Sequence, residues 1–85
     1  MKKLVWESNP HAYGAISAHL EGTTKYVGGI AATPSRVSGW YRTKLIFDEY
    51  NGLDDWTPLE NEAMAAVEAE HVKFSEMGYI IEGEQ

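Results

Sequence analysis

The side chains in this chain that could do chemistry are carboxylates, histidines and serines, because cysteine is absent. Without cysteine there is no thiolate metal ligand, no thiol nucleophile and no disulfide. His11, His19 and His71 are widely separated, and no two have the i, i+4 spacing that would put a pair of metal ligands on one helix face. A metal centre would need them to converge beside a carboxylate such as Glu70. The serines at 8, 17, 35, 38 and 75 lack the Gly-x-Ser-x-Gly setting that exposes a nucleophile on a strand-to-helix elbow. Gly28-Gly29 is not followed by a helix start, so it does not cradle a phosphate. These patterns predict no catalytic residue, no metal and no cofactor.

What remains is charge, and it is segregated along the chain. Residues 1–45 hold six Lys and Arg against two Glu, and residues 46–85 hold eleven Asp and Glu against one Lys. The net charge of −6 therefore joins a basic half of +4 to an acidic half of −10. A single-sign surface steers association and repels like-charged molecules, so this asymmetry concerns partners. The acidic candidates for a partner-binding surface are Asp48, Glu49, Asp54, Asp55, Glu62, Glu68 and Glu76. They could imitate a phosphate backbone or dock on the basic groove of another protein. The competing reading is a solvated helix face that serves solubility. Against it, Glu62, Glu68, Glu70 and Glu76 are answered only by Lys73, so the i, i+4 ion pairs of an ordinary exposed helix are largely forgone.

A second candidate surface is basic and aromatic: Trp40, Arg42 and Lys44 alternate along one stretch, with Tyr13 and His19 able to flank them. Cations interleaved with aromatics on an open sheet suit single-stranded nucleic acid. A net −6 opposes phosphate, and a solvated outer sheet face is the simpler reading.

The elements that would position these residues follow from periodicity and turn chemistry. Strands are expected over about 3–7, 12–21, 25–32 and 40–47. Glu21-Gly22-Thr23-Thr24 supplies a hairpin turn, and 33–39 a loop. Gly28-Gly29 inside the third strand points to a bulge, an edge, or the close approach of another backbone. In the fourth, Tyr41, Thr43, Leu45 and Phe47 form the expected core face, opposite Arg42 and Lys44. Thr57-Pro58-Leu59-Glu60 is a capping box with proline at the first helical position, and opens a helix over about 58–77. Leu59, Ala63, Ala66, Val67, Phe74 and Met77 share a stripe of about 100° on that helix. Glu70 falls inside the stripe, which implies either a shift toward Val67 and His71 or a paired, part-buried carboxylate. The expected fold is α+β: an antiparallel three- to four-stranded meander with one C-terminal helix on one face. Packed this way, the basic sheet and acidic helix would form electrostatically opposite faces. An open sheet of this size can also cover itself by dimerising, which makes a homodimer possible.

Eighty-five residues with ten aromatics are enough for one domain, 1–85, with about 5 kcal/mol of stability. The start Met1-Lys2-Lys3-Leu4-Val5-Trp6-Glu7 lacks the apolar stretch of a signal peptide, and no run approaches a membrane span. A soluble cytoplasmic protein with its native start is the expectation.

The pattern Leu4-x-Trp6-Glu7, Tyr26-x-Gly28, Trp40, and Leu59-Glu60-x-Glu62-Ala63-x-Ala65-Ala66-x-x-Ala69-x-His71 resembles small phage and prophage proteins of this length. In these, a Trp-led β-meander precedes an Ala-rich helix. Some small acidic phage proteins, similar in size and make-up, are anti-CRISPR and other anti-defence inhibitors that bind host complexes without chemistry. The resemblance rests on core and capping positions and transfers no site residue. It implies a non-enzymatic inhibitor in the cytoplasm of an infected bacterium, with a host protein or defence complex bearing a basic groove as partner. The alternatives are a nucleic-acid-binding module using the Trp40 face, or a phage structural or assembly protein that self-associates.

Overall fold

The computed structural model describes residues 3–8, 15–33, 35–52 and 57–77. Five strands, β1 (Leu4–Ser8), β2 (Ala15–Leu20), β3 (Tyr26–Ala32), β4 (Arg36–Tyr41) and β5 (Lys44–Tyr50), precede one helix, α1 (Thr57–Glu76). All neighbours pair antiparallel in the order β1-β2-β3-β4-β5. This is the expected α+β meander with a C-terminal helix, with five strands where three to four were expected. The Tyr79–Ile81 segment, Tyr13, Asp54 and Asp55 lie outside the described residues.

The extra strand comes from a turn that carries no glycine, proline or asparagine. The apparent strand over 40–47 is a hairpin, in which Tyr41-Arg42-Thr43-Lys44 reverses the chain and Arg42 takes a φ of 59°. The left-handed conformation is uncommon for a non-glycine residue. Here the Arg42 N–H donates to the Val27 carbonyl and its guanidinium lies over the Phe74 ring, 4.7 Å from the centroid. The expected loop over 33–39 is correspondingly short. The Thr33 hydroxyl accepts the Arg36 N–H at 3.0 Å, and β4 starts there. The β2–β3 turn is as expected, with Gly22 at a φ of 79°.

Cross-strand partners share a face, so the register assigns the two sides of the sheet. Leu4, Trp6, Ala18, Gly28, Ile30, Ala32, Val37, Gly39, Tyr41 and Phe47 fall on the helix side. The helix packs chiefly on β4, then on β3 and β5. Its buried positions are Ala63, Val67 and His71, an i, i+4, i+8 series. The apolar stripe is thus shifted toward Val67 and His71, and Met77 is exposed. Close approach explains the glycines. A Cβ on Gly28 would sit 2.8 Å from the Trp40 carbonyl oxygen and 3.1 Å from Val67 Cγ1. His71 is buried as a structural residue, its Nδ1 2.8 Å from the Tyr41 hydroxyl, with Phe74 edge-on to the same tyrosine.

Candidate interaction surfaces

The acidic candidates do not form one surface. Asp48 stands opposite Ser38 on the face of the sheet away from the helix. Its Oδ1 accepts from Arg36 Nε at 2.8 Å, and this hydrogen bond holds its carboxyl below the usual range. Glu49 is exposed on the helix side of β5, opposite Val37. Glu68 is half-buried because Trp6 of β1 donates its indole N–H to Oε1 at 2.8 Å, tying the first strand to the helix. Glu62 and Glu76 are exposed.

The helix surface has a definite arrangement. At about 100° per residue, Glu62 and Glu76 are about 40° apart in azimuth and about 21 Å apart along the axis. Between them the outward ridge is Ala65, Ala69 and Val72, all exposed. The helix therefore presents a small apolar strip bracketed by carboxylates, not an unbroken row of charges. Glu70 lies about 100° round the helix from Ala69, next to the buried series and toward β5, 3.9 Å from Lys44 Nζ, so it is both part-buried and paired. Arg42, over Phe74, and Lys44, beside Glu70, join Lys73 at the C-terminal half of the helix. Its N-terminal half carries Glu60 and Glu62 with no cation paired to either among the described residues.

The basic-aromatic set is also divided. Trp40 and His19 lie on the open face of the sheet, whereas the β4–β5 turn carries Arg42 to Phe74 and Lys44 to Glu70, on the helix side. The expected alternation of Trp40, Arg42 and Lys44 along one strand face fails because the hairpin reverses the chain between them. For the same reason Leu45, an expected core residue, is exposed opposite Trp40. The two faces are consequently not opposite in charge. The open face has small residues at its centre: a Cβ on Gly29 would meet Trp40 Cζ2 at 2.8 Å, so the half-buried indole lies across the glycine. Around it, Tyr26, Leu45 and Tyr50 are 60%, 59% and 72% exposed. His19 packs edge-on to Tyr26 and sits 3.3 Å from Glu7. Its pKa is raised above 6.5, first by the Leu20 carbonyl that accepts from Nδ1, with Glu7 adding to the effect against the opposing pull of burial.

Among the described residues no three His, Asp or Glu side chains converge as metal ligands, and no helix is long and apolar enough to cross a membrane. Sequence reasoning missed the Trp6–Glu68, Arg36–Asp48 and Tyr41–His71 pairs. Only the last left a trace, since His71 continues the i, i+4 series from Ala63 and Val67. In comparison with known proteins, the chain matches no family model, no curated protein and no solved structure.

Proposed function

We propose that this chain acts by binding and not by catalysis, as a phage-type inhibitor that docks the exposed ridge of α1 on a host protein or complex. The observation that supports this reading is the ridge itself. Exposed Ala65, Ala69 and Val72 lie between Glu62 and Glu76, with further acidity at the N-terminal half of the helix. An apolar centre with a charged rim is how protein interfaces are built, and acidic rims select basic partners. The resemblance to small phage proteins supplies the inhibitor role and the bacterial host. The nucleic-acid alternative draws less support, because Arg42 and Lys44 are committed to Phe74 and Glu70.

The test is reversal of Glu62 and Glu76 to Lys together with Ala69→Arg in the centre of the ridge. Glu68 is left in place because it accepts the Trp6 indole N–H. Capture from a bacterial lysate containing defence complexes, and inhibition of whatever is captured, should be lost in this variant with the melting temperature unchanged. Capture and inhibition equal to those of the parent chain would refute the docking surface.

A further inference from the structure

The two edges of the sheet are built differently. At β5 the ladder to β4 skips Ile46, since Gly39 stands opposite Phe47 and Trp40 opposite Leu45. A bulge of this kind, on a strand that also carries Lys44, Asp48 and Glu49, protects an edge from further pairing. β1 lacks the bulge and is sparser in charge. Its five residues pair with β2 in unbroken register, and its only charge is Glu7, with Lys3 just before it.

The Glu21 N–H donates to the Lys3 carbonyl at 2.9 Å, which aims the Lys3 backbone at β2. Because backbone direction alternates along a strand, Val5 and Glu7 also point inward, and Leu4 and Trp6 direct their N–H and C=O groups outward. No described strand pairs with that outer edge. Lys3, Val5 and Glu7 project onto the open face of the sheet, where Val5 is 37% exposed and the Glu7 side chain 55%.

From this arrangement we infer that β1 is a self-complementary edge whose occupant is the β1 strand of a second copy of this chain. With the two-fold axis at Val5, Leu4 of each copy exchanges both backbone hydrogen bonds with Trp6 of the other. Val5 then meets its own mate, and Lys3 of each copy faces Glu7 of the other, twice. Lys3–Glu7 and Val5–Val5 are non-hydrogen-bonded pairs, the closer kind in an antiparallel ladder, so the charges meet where side-chain contact is strongest. Shifting the register by two residues would place Val5 against Glu7 and leave Lys3 without its carboxylate. The symmetric product is a continuous ten-stranded sheet with both helices on one side. This inference is independent of the inhibitor reading.

Sedimentation equilibrium of the full chain at low salt, from micromolar to near-millimolar concentration, tests it. The parent chain should dimerise, and Lys3→Glu and Glu7→Lys should each weaken the dimer by about tenfold by setting two like-charge pairs face to face. The double variant Lys3→Glu/Glu7→Lys should recover parental association, as should an equimolar mixture of the two single variants. A parent chain that stays monomeric overturns the inference. So does a dimer indifferent to either charge reversal, or single variants whose loss neither the double variant nor the mixture restores.

Discussion

Replacing Gly28 with alanine asks how closely the helix and the Trp40 backbone approach β3, and the sign of the result depends on the answer. Glycine in a strand interior is intrinsically worse than alanine by about 0.5–1 kcal/mol, so an unhindered site would be stabilised by the change. Here the new methyl carbon would lie 2.8 Å from the Trp40 carbonyl oxygen and 3.1 Å from Val67 Cγ1. Both fall short of the ~3.5–4.0 Å at which heavy atoms sit comfortably. The oxygen belongs to the strand paired with β3, so relief there requires β3 and β4 to move apart. Relief at Val67 requires the helix to lift. Overpacking costs about 1–3 kcal/mol, and a clash with a backbone oxygen as well as a side chain belongs in the upper part of that range, about 2–3 kcal/mol, which leaves a net loss of about 1–2 kcal/mol after the backbone gain. In a domain with about 5 kcal/mol in hand, that lowers the melting temperature by roughly 5–15 °C. Thermal and urea unfolding followed by circular dichroism would measure it. A Gly28→Ala variant that melts at or above the parent temperature would refute the reasoning, and with it the close packing of α1 on β3.

Tyr41→Phe removes the hydroxyl beside His71 Nδ1 without changing the volume of a buried ring, and should destabilise the domain by about 1–3 kcal/mol in urea unfolding. Pairing it with His71→Leu should cost less than the two single changes added, because neither polar group is then left behind. His19 has a folded pKa raised above 6.5, so its contribution to stability is complete below the unfolded value and is lost as pH rises through the folded one. An NMR titration should place the His19 midpoint above that of an unfolded peptide. Glu7→Gln should lower the midpoint only in part, since the Leu20 carbonyl is the larger cause.

Much of the fold is legible in the chain because it rests on local signals. The Glu21–Thr24 turn, the strand alternation of β2, the helix start near Thr57-Pro58 and the charge asymmetry all depend on residues close in sequence. The β4–β5 hairpin was hidden because Arg42 adopts a left-handed turn that no turn residue announces. Contacts across the fold hold it, from the Val27 carbonyl and the Phe74 ring. That reversal removed Arg42 and Lys44 from the Trp40 face and divided the candidate basic surface.

The acidic surface was divided for a similar reason. Asp48 and Glu49 are neighbours in sequence, but a strand sends successive side chains to opposite faces, so one meets Arg36 and the other lies on the helix side. The order of residues along the chain, read locally, determined that the second half would be acidic and that a sheet would be followed by a helix. Only the tertiary structure decided which carboxylates stand together and which cations answer them. Those pairings join residues 12 to 62 positions apart, from Arg36–Asp48 to Trp6–Glu68, and local periodicity carries no information at that range.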